Sequence, residues 1–173
     1  MWKYFLPDFY FDKYSDITPQ FLLENNIHTL LLDVDNTLAP YEVPKPDEKI
    51  LAWLDALRQN GISFAFISNN SKPDRIELFN EEIGAPAYAR SAKPLAKNVK
   101  RALLELGAKK EETAFLGDQI FTDVCAGKWH GMRAIIVPPI KDKTTLFFKV
   151  KRWLERPVMK KFFKLQGKKA ERK

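Results

Sequence analysis

Residues 29–40 read "TLLLDVDNTLAP". Three consecutive leucines suit a strand covered on both faces, as in a parallel sheet. Two aspartates two residues apart then follow directly. A carboxylate at the end of a buried strand is costly to desolvate, and a second one nearby adds repulsion. Either a turn holds Asp33 and Asp35 in water, or something cationic lies between them.

Outward from this stretch, short apolar runs alternate with helical patterns. "ISFAFI" (62–67), "AYA" (87–89), "TAFLG" (113–117) and "MRAIIV" (132–137) read as strands. Thr18 and Pro19 have the character of an N-cap and first helical residue. "DEKILAWLDALRQNG" puts Ile50, Trp53, Leu54 and Leu57 on one helical face, with Gly61 as its stop. Ile76, Phe79 and Ile83 line a second helix ended by Gly84. Val99, Leu103 and Leu106 line a third ended by Gly107, and "TDVCAGKWHG" supplies a short fourth. This alternation predicts an α/β fold, a central parallel sheet with helices on both faces. Ligands of such sheets bind beyond the carboxyl ends of the strands. The polar signals fall there: Asp33 and Asp35 after one strand, Ser68 and Asn69 after another, Gly117 and Asp118 after a third.

The chain has 173 residues and 45% hydrophobic composition, enough for one domain with a core. One cysteine, Cys125, excludes an internal disulfide. It also excludes a Cys-rich zinc site, and the two histidines, His28 and His130, add little. Cys125 and His130 read as packing and surface residues. No signal-peptide pattern and no spanning apolar run is present, so the expected location is cytoplasmic. The net charge of +7 is uneven: residues 141–173 carry 13 Lys/Arg against 3 Asp/Glu. A basic tail points to a local anionic partner rather than to general nucleic-acid affinity.

Four separated pieces, "DVDNT" (33–37), "SNN" (68–70), "KP" (93–94) and "GDQIFTD" (117–123), share the predicted site. In order and spacing they resemble the four motifs of the haloacid dehalogenase (HAD) superfamily of phosphatases. The resemblance implies a Rossmannoid three-layer α/β/α fold and Mg²⁺-dependent phosphomonoester hydrolysis. It implies Asp33 as nucleophile and Asp35 as general acid and base. Asp33, Asp118 and the backbone carbonyl of Asp35 would hold the metal. The chemistry asks for the same groups: an in-line nucleophile, a proton donor and cations around the transferring phosphoryl group. Ser68 and the Asn69 N–H would hold phosphoryl oxygens, and Lys93 would neutralise phosphate and nucleophile. Thr37 and Asp123 would support the loop, the lysine and the metal shell.

The spans 35–47 and 68–93 leave no room for a cap domain. An open site suits a macromolecule or a membrane surface, unless a neighbouring subunit in an oligomer serves as lid. "TTLFFKVKRWLERPVMKKFFKLQGKKAERK" carries Leu146, Val150, Trp153 and Leu154 at helical spacing, then Val158, Met159, Phe162 and Phe163 beyond Pro157. Interleaved lysines make this suitable for an anionic membrane interface. Seven of the first fourteen residues are aromatic, which suits an interface or packing on the domain. The expected organisation is a phosphatase domain over 1–140 with an aromatic N-terminal extension, and a basic amphipathic tail over 141–173 ending in solvated "QGKKAERK".

Overall, the chain is similar to the YqeG-type HAD phosphatases of subclass IIIA, related to the mitochondrial phosphatidylglycerophosphate phosphatase. The resemblance implies that a phosphorylated substrate, an anionic phospholipid, is converted to phosphatidylglycerol on the inner face of the membrane. A soluble or nucleic-acid phosphomonoester is the alternative substrate. A nucleic-acid-binding module of HAD fold is the alternative to an enzyme.

Overall fold

Among the described residues, six parallel strands form one sheet in the order β1-β6-β5-β2-β3-β4. They are β1 (Phe9–Tyr10), β2 (Thr29–Leu32), β3 (Ser63–Ile67), β4 (Ala87–Tyr88), β5 (Thr113–Gly117) and β6 (Arg133–Ile136). The helices are α1 (Pro19–Glu24), α2 (Glu48–Gln59), α3 (Pro73–Asn80), α4 (Lys97–Glu105), α5 (Cys125–Trp129) and α6 (Leu146–Ala170). The computed structural model describes residues 2–95, 97–141 and 146–170. Of the tail, the side chains of residues 146–148 and 168–170 and the terminal residues 171–173 lie outside what is described.

Side-chain alternation along the strands builds the layers. Leu30, Leu32, Phe64, Phe66 and Leu116 face one side, where Leu22 of α1, the α2 residues Ile50, Trp53, Leu54 and Leu57, and Ile76 and Phe79 of α3 cover them. Leu31, Ala65, Ile67 and Phe115 face the other, under Val99 and Ala102 of α4 and Ala126 of α5. Both faces of β2 are therefore sealed, as its unbroken leucine run requires. The Thr18 signal holds as read, and α2 has a cap that the sequence reading did not name. Thr18 accepts a hydrogen bond from the Phe21 N–H at 3.1 Å, and Asp47 caps α2 through the Ile50 N–H at 2.9 Å.

The chain leaves β2 toward β3 and β4, then returns to the other side of β2 to lay down β5 and β6. The strand order thus reverses between β2 and β5, where an open α/β sheet forms its binding crevice. Register aligns the polar residues: Leu32 pairs with Phe66 and with Leu116. Asp33, Ser68 and Asp118 each follow within two residues, so they emerge at one level.

Two segments gain a definition that the sequence left open. The aromatic N-terminus is part of the sheet: Phe9 and Tyr10 pair with Ile135 and Ile136 of β6, while Phe9, Phe11 and Tyr14 pack on the core. The tail is one helix that runs through Pro157 and on to Ala170, into the stretch read as solvated tail. Proline withholds one N–H from the helix ladder. The carbonyl it frees is that of Trp153, a residue on the solvent side, 64% exposed, where water can serve it.

Candidate active site

The turn after β2 sets the geometry. Asn36 adopts φ 68°, a left-handed conformation that asparagine tolerates better than most residues. The N–H groups of Thr37, Leu38 and Ala39 all approach the Val34 carbonyl, closing the chain on itself. Asp33 and Asp35 consequently line one cavity of about 290 Å³, together with Ser68, Asn69, Lys93 and Asp123.

Asp33 is buried. Its Oδ2 accepts a hydrogen bond from the Thr37 hydroxyl at 2.9 Å, and its Oδ1 accepts one from Lys93 Nζ at 2.5 Å. Lys93 Nζ also pairs with Asp123 Oδ1 at 2.7 Å. Burial pushes the Asp33 pKa up to about 8, Lys93 opposes the rise, and Asp123 and Asp118 add to it. For Lys93, burial acts to lower the pKa, but Asp123 and Asp33 outweigh it and hold the amine above the ordinary lysine range. The lysine is fixed by its backbone as well: its N–H donates to Asn69 Oδ1 at 2.7 Å, and its carbonyl accepts from Asn69 Nδ2 at 3.2 Å.

Ser68 Oγ accepts the Asn70 N–H at 3.0 Å, which leaves the serine O–H as a donor toward the cavity. Asp35 is turned to a different set of partners. Asn70 Nδ2 donates to its Oδ2 at 2.9 Å, and Arg75 Nε lies 3.3 Å from its Oδ1. Arg75 also donates to the carbonyls of Pro40 and Pro44, each at 3.2 Å, so it ties α3 to the loop beyond Asp35.

One carboxylate oxygen from each of Asp33, Asp118 and Asp123 lies within 4.8 Å of the others. The Asp35 side chain is not in this group; the metal role expected at that position belonged to its backbone. Asp118 Oδ1 is buried and has no hydrogen-bond partner among the described residues. A buried, unpartnered carboxylate oxygen in an all-oxygen donor set fits a hard divalent cation. Burial raises the Asp118 pKa to about 6, with Asp123 adding and Arg152 opposing. Asp123 Oδ2 accepts the Gln119 N–H at 3.0 Å, which draws its side chain back over Gly117.

The tail enters the site, which the sequence reading did not foresee. Arg152 of α6 donates from Nη2 to Asp118 Oδ2 at 2.5 Å and from Nη1 to the Asp118 carbonyl at 2.7 Å. The buried Glu155 accepts from Arg152 Nη1 at 2.8 Å and from the Ile120 N–H at 2.9 Å. Lys151 lines the cavity and donates to the Gln119 side-chain carbonyl. Burial lowers its pKa, against the pull of Asp123 and Glu155.

With this geometry in hand, the chain can be compared with known proteins. A family profile for haloacid dehalogenase-like hydrolases matches residues 23–131, which contain all four motifs. The chain belongs to the haloacid dehalogenase-like hydrolases. It is 32% identical over 157 residues to the protein named "Probable phosphatase YqeG" of Bacillus subtilis (strain 168), covering 91% of each chain. Among solved structures, an uncharacterized protein from Listeria monocytogenes serotype 4b shares the fold, with TM-score 0.54 at 16% identity over 69% of this chain and 85% of that one. Hydrolases of this family typically use a divalent metal, and the buried Asp33, Asp118 and Asp123 cluster is compatible with one. The HAD-like body carries the four motifs, while α6, with Arg152, Glu155 and Lys151, lies beyond the matched region. Arg75 lies within it, but nothing in its spacing distinguishes it from a solvated helix residue.

Proposed function

We propose that the chain is a phosphatase that hydrolyses a phosphomonoester through an aspartyl-phosphate on Asp33. We further propose phosphatidylglycerophosphate as substrate and phosphatidylglycerol as product. The observation that most supports the reaction is the single cavity where Asp33, Asp35, Ser68, Asn69 and Lys93 converge, with Lys93 Nζ 2.5 Å from Asp33 Oδ1.

Asp33 attacks phosphorus, forming a P–O bond as the ester P–O bond breaks. The departing alkoxide takes a proton from Asp35. Asp35 then accepts a proton from the water that hydrolyses the acyl phosphate, returning Asp33 as a carboxylate. Ser68 and the Asn69 N–H donate to the phosphoryl oxygens. Lys93 lowers the repulsion between Asp33 and the incoming phosphate. Asp123 holds Lys93 in place, and Thr37 orients Asp33 through their hydrogen bond. Asp33, Asp118 and the Asp35 carbonyl would hold Mg²⁺, which when bound supplies charge neutralisation of the transferring group.

The relative's name supports phosphatase chemistry and is silent on lipid. The surroundings support lipid. Val150, Trp153, Leu154 and Phe163 stand exposed on a lysine-rich helix. No helix among the described residues is long and apolar enough to cross a membrane, so the proposed association with an anionic leaflet is peripheral. The test is a substrate panel run with and without anionic vesicles. The expected result is release of phosphatidylglycerol from vesicle-borne substrate, loss of turnover in Asp33→Asn, and phosphate trapped on Asp33 in the wild type. Equal turnover of sugar or nucleotide phosphates without vesicles would overturn the lipid assignment. Steeply salt-dependent nucleic-acid binding without any hydrolysis would overturn the enzyme.

A further inference from the structure

We propose that α6 is the cap of this active site, and that Lys151 on it selects substrates carrying a second anionic group beside the phosphate to be removed. This rests on reading the cavity as a phosphomonoester site; it does not require a lipid.

The body has no cap insertion, yet the cavity is not left to the body alone. Along α6, Lys151, Glu155, Val158 and Phe162 follow helical spacing on one face. Glu155, Val158 and Phe162 are buried against the domain. Arg152 and Glu155 add three polar anchors to the segment just after β5: the Asp118 side chain, the Asp118 carbonyl and the Ile120 N–H. A helix tied by a buried apolar face and a buried ionic group is a fixed wall. Lys151 sits at the end of that face and lines the cavity beside Gln119 and Thr122.

The two amines of the cavity are differently employed. Lys93 is committed to Asp33 and Asp123. Lys151 has one hydrogen-bond partner among the described residues, the neutral Gln119 amide. An ammonium carries three donors. An ammonium in a cavity wall with no ion-pair partner within salt-bridge distance among the described residues is a receptor for an anion. The groups proposed to hold the transferred phosphate come from the ends of β2 and β3 and from the Lys93 loop. Lys151 comes from another element, α6, and lines the same cavity beside Gln119 and Thr122, where a second anionic group of the substrate would meet it. A diester phosphate next to the scissile monoester would meet this description, as would the second phosphate of a soluble bisphosphate.

The test is calorimetric binding of glycerol 1,3-bisphosphate and of inorganic phosphate to the full chain with Mg²⁺, for wild type, Lys151→Met and Lys151→Arg, with Lys160→Met as a control on the same helix. The expected wild-type preference is for the bisphosphate. Lys151→Met should cut that preference by roughly tenfold or more, the loss of one charge-assisted hydrogen bond. Lys151→Arg should restore most of it, and Lys160→Met should leave it in place. Equal weakening of both ligands, no change in the ratio, or no bisphosphate preference in the wild type would overturn the proposal. A ratio that collapses in Lys151→Met while no phosphomonoester is hydrolysed by the wild type would uphold the anion site and remove the phosphatase reading instead.

Discussion

Gly117 ends β5 directly beneath Asp123, and replacing it with alanine tests how the site is packed. A Cβ built on Gly117 falls 2.5 Å from Asp123 Oδ2, and closer still to its Cγ and Cβ. No rotation of the Asp123 side chain relieves a clash with its own Cβ, so backbone must move. Overpacking of this kind costs about 1–3 kcal/mol. The displaced carboxylate also leaves Lys93 Nζ, now 2.7 Å away, and the Gln119 N–H at 3.0 Å. Breaking a buried pair costs about 3–5 kcal/mol when the partner is stranded. Here Lys93 retains Asp33, which keeps that cost at or below the lower end. Taking that pair at about 2 kcal/mol, the expected total is about 3–5 kcal/mol. For a chain of this size that lowers Tm by roughly 6–20 °C.

The assay is urea unfolding and calorimetry in chelator, so that only the protein's own interactions are read. Gly167→Ala serves as control: nothing lies within 4 Å of its Cβ position, and it sits in α6. That change should stabilise by about 0.5–1 kcal/mol or less. A double-mutant cycle separates packing from general damage. In an Asp123→Gly background the clashing side chain is gone, and the Gly117→Ala penalty should shrink by about 2 kcal/mol or more. A Gly117→Ala protein within about 2 °C of wild type, or additive behaviour in the cycle, would refute the placement of Asp123 against β5.

Two further outcomes follow from the charges. In the metal-free protein Asp33 titrates near 8 and Asp118 near 6, both above the ordinary 3.8. The folded state holds these protons more tightly than the unfolded chain, so their stabilisation is complete below pH ~4 and is lost as pH rises through ~6 and ~8. Metal-free Tm should therefore fall across that window, and the gain in Tm on adding Mg²⁺ should grow with pH, because binding must expel the protons; a Mg²⁺ effect independent of pH counts against the acidic cluster as its site. Arg75→Met should lower kcat by roughly 10–100-fold, since Asp35 loses the guanidinium at 3.3 Å, and Arg75→Lys should fail as a rescue because one ammonium cannot also hold the Pro40 and Pro44 carbonyls; an unchanged kcat, or full rescue by lysine, would remove Arg75 from the positioning of Asp35.

The parts of the fold that were legible are those written in local periodicity. The leucine run of β2, the Ile50–Trp53–Leu54–Leu57 face of α2 and the Thr18 cap each carry their reason within a few residues. The four motifs were legible because each follows a strand that the same periodicity located. Strand β1 was not legible, because Phe9–Tyr10 is two residues long and aromatic content serves a strand edge and an interface equally. Arg75 and Arg152 were missed for another reason. Their partners lie 40 and 34 residues away, and an ion pair across that span leaves no pattern in the intervening sequence. Where the tail helix faces was equally hidden. Apolar residues lie nearly all around it, and only the docked structure shows that Val158 and Phe162 turn inward while Val150, Trp153 and Leu154 turn out.

That division alters what the basic tail means. Its positive charge reads in sequence as a free patch awaiting an anionic surface. In the structure several of those cations are already engaged: Arg152 by Asp118 and Glu155, Lys151 by Gln119 at the cavity wall, Lys141 by Glu42, and Lys161 over the Trp2 ring. Four buried carboxylates, Asp33, Asp118, Asp123 and Glu155, meet Lys93 and Arg152. With all four ionised, negative charge remains in excess even with Lys151 counted, and Asp118 Oδ1 has no hydrogen-bond partner among the described residues. The inward face of α6 thus belongs to the electrostatics of the acidic cluster in the candidate site. Its outward face, with Trp153, Leu154 and the solvated lysines, is what remains to meet a surface. One helix then joins the two, so that whatever the outer face binds is held within a helical turn of the residues that grip Asp118.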